Sequence, residues 1–224
     1  MHIPDGFLDT KTWLGAAALS AGVIAYSIRM LRKGPDAEEH LESSAPMMGV
    51  MAAFIFAAQM LNFPVAGGTS GHLIGAVLAM ILLGPHRALI VMTSILIVQS
   101  LIFQDGGITA LGANVLNMGV AATFLGYAII RFSLKTFGER RGLLYGTFAA
   151  SWCSAVAAAA LAALELAFSN TAPLGIVFPA MVGWHALIGI GEGLITLAVV
   201  SYVAAVRPDL LRGFLFERMR SYEA

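Results

Sequence analysis

Gly67-Gly-Thr-Ser-Gly-His-Leu-Ile-Gly-Ala-Val-Leu-Ala-Met-Ile-Leu-Leu-Gly-Pro85 holds the shortest apolar run of the chain. A Gly-rich segment runs straight into His72, and an apolar run follows to Leu83, where Gly84-Pro85 breaks it. A helix over these dozen residues would rise only about 18 Å, well short of the roughly 30 Å hydrocarbon core of a bilayer. It is counted as the third of seven crossings. Irregular backbone followed by a truncated apolar helix is tolerated at membrane depth only where it is buried or lines a cavity.

Outward from this stretch, the apolar runs are long enough to span. They cover Thr12 to Leu31, Pro46 to Leu61, Ala88 to Phe103, Gly112 to Phe132, Gly142 to Phe168, and Pro179 to Val206. Pro46 is read as a helix start, and Asp36, Glu38, Glu39 and Glu42 as a solvated acidic loop before it. Of 224 residues, 58% are hydrophobic and only 12% charged, with a mean hydropathy of +0.82. A soluble domain carries about 25% charge. So apolar a chain excludes a large water-soluble domain and a basic nucleic-acid reader. The lone Cys153 excludes an internal disulfide framework. The expectation is an all-α protein, a single integral-membrane domain over residues 1–224, with seven transmembrane helices.

Thirteen Lys and Arg balance thirteen Asp and Glu, so net charge says nothing about orientation. Their positions do. With seven crossings, Arg29, Arg32, Lys33, Arg87, Arg131, Lys135, Arg140, Arg141, Arg207, Arg212, Arg218 and Arg220 share one side, leaving only Lys11 on the other. That side is the cytoplasm, so the N-terminus is expected outside and the C-terminus inside. The Arg-rich tail after Val206 then enforces the topology and touches anionic lipid. The first ten residues have no basic n-region and carry Asp5 and Asp9, unlike a signal peptide. Bulky His2 disfavours removal of the initiator, so the mature chain is expected to begin at Met1 with a free amine.

A free α-amine, the next amide nitrogen and the imidazole of residue 2 can chelate one ion through a five-membered and a six-membered ring. Three nitrogens near one plane suit Ni(II) or Cu(II), and amine and imidazole also suit Co(II). His72, on the same outer side, can supply a fourth nitrogen. The alternatives at this level are a frayed terminal His2 and a His72 bonded to a loop carbonyl.

Four segments resemble the CbiM/NikM family, the substrate-binding membrane subunits of cobalt and nickel energy-coupling-factor (ECF) transporters. They are Met1-His-Ile-Pro-Asp-Gly-Phe7, Gly67-Gly-Thr-Ser-Gly-His72, Asp105-Gly-Gly-Ile-Thr-Ala-Leu-Gly-Ala-Asn114 with Asn117-Met118, and His185-Ala-Leu-Ile-Gly-Ile-Gly-Glu192. The resemblance extends over nearly the whole chain. It implies seven spans, an extracellular N-terminus and a place in the bacterial cytoplasmic (inner) membrane. It also implies a metal held by the Met1 amine, the His2 amide and imidazole, and the His72 imidazole. The transported ion is Co2+ or Ni2+, with no prosthetic group and no enzymatic activity of the chain's own; cobalt uptake would feed cobalamin synthesis. Implied partners are a transmembrane coupling subunit (CbiQ/NikQ-like), ATPase subunits (CbiO/NikO-like) and a small accessory membrane subunit (CbiN/NikN-like). No nucleic acid is implied. The loop wording differs from the Ser-His-Pro form of some cobalt members, which leaves Ni and Co both open. A phosphate-cradling Gly-x-x-x-x-Gly-Lys-Ser/Thr motif is absent from this sequence, consistent with energy borrowed from partners.

Five further residues can orient the ligands: Ser70, Asn114, Asn117, His185 and Glu192. His185 and Glu192 lie seven residues apart, two turns along one helical face, and an intramembrane ionisable group is a functional hypothesis by default. A contact between them, or with Asn114 and Asn117, is one expectation; a structural network joining the last three spans is the other. Glu165 is read as reaching water near the outer end of its span, and Asp105 as a turn residue. Two rival functions follow from other features. Gly68-Thr-Ser-Gly71 matches an intramembrane serine protease signature, with Ser70 as nucleophile and His185 as base. A self-sufficient metal channel or carrier is the other, although the spans carry only Glu165, Glu192 and His185 as clear ionisable groups. The apolar-span methionines are read as packing positions, and the small-residue runs Gly15 to Gly22 and Ala155 to Ala163 as surfaces for close helix packing, either internal or against the coupling subunit.

Overall fold

The computed structural model describes residues 1–33, 37–60, 63–65 and 69–211, with the side chains of 37, 63–65 and 69–70 left undescribed. Helix α1 (Thr10–Leu31) is capped by Asp9, whose carboxylate accepts from the Thr12 amide at 2.8 Å, satisfying one of the amides that a helix start leaves open. Helix α2 spans Ala37–Gln59. It begins nine residues before Pro46, correcting the reading of that proline as a helix start. Glu38, Glu39 and Glu42 are helical rather than in a loop, and Glu38 and Glu39 complement the positive end of the helix. The start of α8 (Leu174–Val206) is corrected likewise: it precedes Pro179, which lies inside it. Helices in an apolar setting tolerate an internal proline because neighbouring groups re-satisfy the freed carbonyl.

Between α2 and the next helix lies the only β-structure among the described residues. It is a short antiparallel ribbon, β1 (Phe63–Val65) and β2 (Thr69–Gly71), in register Phe63 opposite Gly71. Helix α3 (Ala76–Leu83) follows and is only eight residues long. It starts four residues later than His72 because Gly75 has φ of +75° and resets the backbone before the first turn. Every α3 residue but Leu82 is buried. A helix apolar on all sides belongs inside the bundle, and α3 touches α2, α4, α6, α7 and α8.

Helix α4 (Pro85–Ile102) opens on the favoured first-turn proline. The next crossing element is composite. It begins as α5 (Leu111–Asn114), loosens into π-helix over Val115–Ala121, and continues as α6 (Ala122–Phe137). Helices α7 (Glu139–Phe168) and α8 complete the fold. Six helical units are long and apolar enough to cross a membrane by length and composition: α1, α2, α4, the α5–α6 unit, α7 and α8.

Small residues set the close contacts. Helix α7 buries Ala150, Ser151, Ser154, Ala155, Ala158, Ala159, Ala162 and Ala163, a face that lets α6 and α8 approach on either side. The Ala155 to Ala163 run is therefore internal packing. The α1 run divides: Ala16 and Ser20 are buried, whereas Gly15 and Gly22 have open space around them. Ser20 donates to the Gly112 carbonyl at 2.7 Å, and a Cβ on Gly112 would meet the Ala17 backbone at 2.4 Å. Large apolar side chains such as Leu19, Val50, Ile102, Phe132 and Phe168 project from the bundle exterior. The Gly112→Val variant should cost about 1–3 kcal/mol, the usual penalty of overpacking a tight contact. Its melting temperature in detergent should fall; an unchanged melt would mean that α1 is free to move away from α5.

Candidate metal centre

The chain's first residues fold into the bundle rather than fraying. Ile3 pairs both its backbone groups with Asn114: its amide donates to Oδ1 at 2.8 Å and its carbonyl accepts from Nδ2 at 3.0 Å. The Gly107 amide donates to the same carbonyl at 2.9 Å. Asp5 adds an outer clasp, accepting from the amides of Ile108 (3.0 Å) and Thr109 (2.7 Å) and from the Thr109 hydroxyl. The Thr171 hydroxyl donates to the Phe7 carbonyl. Gly107 is required here, because a Cβ would lie 2.3 Å from the Asp5 amide nitrogen.

These bonds bury Met1 to 4% exposure. Burial pushes its α-amine down to about 5 from 8.0, with the Asp105 charge pulling the other way. Burial thus favours the uncharged form of the amine.

The His2 ring is oriented by a relay of amides. Gln59 Nε2 donates to the Ile74 carbonyl at 2.7 Å, and Gln99 Nε2 donates to Gln59 Oε1 at 2.8 Å. A carbonyl can only accept, so the relay has one sense, and Gln99 Oε1 accepts from His2 Nε2 at 3.1 Å. The proton therefore sits on Nε2, leaving the lone pair on Nδ1, the nitrogen that closes a six-membered chelate ring with the His2 amide. Nδ1 has no hydrogen-bond partner; Asp105 Oδ1 lies 3.2 Å away, misaligned for a hydrogen bond.

His72 is fully buried and stacks on His2, with ring centroids 4.6 Å apart and planes 18° apart. Its Nδ1 donates to the Leu73 carbonyl at 2.9 Å, and its Nε2 is buried without a partner. Near-parallel rings hold their in-plane lone pairs side by side rather than aimed at one point. Shared coordination of one ion therefore requires one imidazole to tilt. Glu192 steadies the segment behind His72, accepting from the amides of Ile74 at 3.1 Å and Gly75 at 2.9 Å.

The expected orienting residues divide. Asn114 holds the N-terminal segment and Glu192 the His72 segment. A His185–Glu192 contact does not form. His185 Nδ1 instead donates to the Met181 carbonyl at 2.8 Å, and its buried Nε2 has no partner, although the ring is within electrostatic reach of His72 and the Met1 amine. Asn117 is directed elsewhere by the π-helical segment and donates to Glu165 at 2.7 Å. Glu165 is thereby buried, at 8% exposure, correcting its reading as a group that reaches water. The Ser70 side chain and residues 66–68 lie outside the described residues, as does the Arg-rich stretch from Arg212. Asp105 is a neighbour of His2 rather than only a turn residue. Gln59, Gln99 and Asp5 were not singled out in the sequence; buried Gln on two apolar runs was the available signal. Among the described residues no three His, Cys, Asp or Glu side chains form a metal-holding cluster.

Comparison with known proteins places these features in a family. Residues 2–210 match CbiM, described as "Cobalt uptake substrate-specific transmembrane region". A putative fused nickel transport protein of Archaeoglobus fulgidus is 44% identical over 213 residues, covering 94% of this chain and 68% of that protein. A putative metal transport protein of Haloquadratum walsbyi is 40% identical, covering 94% and 93%. The cobalt transport protein CbiM of Geobacter sulfurreducens is 33% identical, covering 94% and 61%. A crystal structure described as a transition metal transporter superposes with a TM-score of 0.83 at 35% identity, covering 92% of this chain and 93% of that one.

The Asp5 clasp has a definite pH dependence. Hydrogen bonds, first that from the Thr109 hydroxyl, hold its carboxyl below the ordinary 3.8. A lowered folded value means that the clasp is complete above the unfolded value and is lost as pH falls through the folded one. Hydrogen exchange at the Ile108 and Thr109 amides should be slow from pH 7 down to about 4 and accelerate below it. Asp5→Ala should remove the protection at pH 7; unaltered exchange would show that Asp5 does not hold this loop.

Proposed function

Because the chain belongs to the CbiM family of cobalt-uptake substrate-specific transmembrane proteins, we propose that it captures Ni2+ or Co2+ at the outer face through the Met1 amine, the His2 amide and Nδ1, and the His72 imidazole. The observation that carries this reading is the burial of Met1 and His2 against His72, with His2 Nδ1 and His72 Nε2 both left without hydrogen-bond partners. A buried polar atom without a partner is costly unless a ligand uses it. The His2–Gln99–Gln59–Ile74 relay is what a metal-binding imidazole needs on its remote nitrogen: a fixed acceptor that sets tautomer and ring direction. An all-nitrogen set near one plane favours Ni(II), and Co(II) is accommodated less strictly.

In this reading the chain makes seven crossings in the bacterial cytoplasmic membrane, with the N-terminus outside. Two sets of contacts support it. Gln59 at the end of α2 meets Gln99 near the end of α4, beside the N-terminal segment, whereas His86 at the start of α4 meets Ser27 near the far end of α1. The chain between Gln59 and Pro85 must therefore traverse the bundle, and the eight residues of α3 supply only about 12 Å of that path. The third crossing is completed by non-helical backbone leading into α3, which is how His72 comes to lie at depth. Transport past the capture site is assigned to an ECF-type assembly: a transmembrane coupling subunit, cytoplasmic ATPases and a small membrane component.

Adding one residue before Met1 converts the amine to an amide and should abolish tight binding. His2→Ala and His72→Ala should each lower affinity by more than the roughly 10–100-fold typical of losing an outer support, the loss expected for Gln99→Leu. Isothermal titration with Ni2+ and Co2+ on an untagged chain measures all four. Wild-type affinity after the one-residue extension would falsify the amine ligand.

A further inference from the structure

The Asp105 carboxylate and the His2 Nδ1 lone pair form an arrangement that the four-nitrogen site does not use. The amide relay places the His2 proton on Nε2, so two acceptors, Nδ1 and Asp105 Oδ1, face each other across 3.2 Å. A carboxylate oxygen and an imidazole nitrogen at this separation can both hold one divalent cation seated between them. The spacing suits one: two donors each about 2.1 Å from an ion and about 90–100° apart lie about 3.0–3.2 Å from one another. This pair is also the accessible side of the site, because the Asp105 side chain is 24% exposed while that of His2 is 3% exposed. Gly106, with φ of +95°, lets the loop lie against the ring; a Cβ there would sit 3.3 Å from His2 Cβ and 3.0 Å from Asn114 Nδ2.

We propose that Asp105 Oδ1 and His2 Nδ1 are a two-point capture site that takes the divalent cation from water before the Met1 amine, the His2 amide and His72 enclose it. Asp105 is then a ligand for a transient state, exchanged for nitrogen as the His72 ring tilts. The inference rests on the metal-capture reading above and adds an order of events to it. An exposed carboxylate at the mouth of an apolar bundle also attracts cations from solution, which raises association rates.

The test is stopped-flow association of Co2+ and Ni2+ with the full, untagged chain in lipid nanodiscs. Asp105→Asn should slow association by about tenfold or more, with Asp105→Glu recovering part of the rate. Wild-type association should slow as ionic strength rises, a measurement that needs no variant. In a His72→Ala background, weakly bound Co2+ should show an imidazole in its shell by X-ray absorption, and adding Asp105→Asn should weaken that residual binding further. Equal association rates for wild type and Asp105→Asn overturn the inference, as does an affinity loss that lies wholly in faster dissociation. A wild-type chain that binds neither ion overturns the functional reading instead.

Discussion

The reciprocal pairing of Ile3 with Asn114 is the interaction on which the metal centre depends. A chain terminus normally stays in water because its charged amine and unpaired backbone are expensive to bury. Here Asn114, at the end of α5, offers an acceptor and a donor at the spacing of one residue's amide and carbonyl. With those groups satisfied, Met1 and His2 can pass inward among apolar side chains. Burial then has a chemical consequence, since desolvation disfavours the charged form of the amine. The Asp5 clasp and the close approach of Gly107 hold the same segment from the loop side.

A second set of bonds brings the other half of the site to meet it. Helix α3 is only eight residues long and buried, so the backbone ahead of it must be satisfied inside the bundle. Glu192 takes the amides of Ile74 and Gly75, and Gln59 takes the Ile74 carbonyl. His72 is carried on this pinned segment. Because Gln59 also belongs to the relay that orients His2, one short stretch of backbone sets both imidazoles. The stacked rings are thus supported by α2, α4 and α8 together.

Much of this was legible in the residues. The apolar runs, the truncated third run and the Met1-His2 and His72 nitrogens were all readable, because length, composition and ligand chemistry are local properties. Two helix starts were misread for one reason: Pro46 and Pro179 were taken as boundaries, as in soluble proteins, where the lost hydrogen bond and ring clash end a helix. Glu165 was taken for a surface group because its partner, Asn117, stands 48 residues earlier and the π-helical segment aims it there.

By itself the sequence determined that the chain is apolar along six long helices and one short one, and which nitrogens it has to offer a cation. Those follow from hydrophobic burial and from donor chemistry, which act residue by residue. Only the tertiary structure decided which polar side chains serve the site. Gln59, Gln99 and Asp105 join His2 across separations of up to 103 residues, and His185 does not join Glu192 despite two turns of helical spacing. A hydrogen bond has direction and a reach of about 3 Å, so its partner is set by how helices are rotated and staggered against one another, a property no segment holds alone.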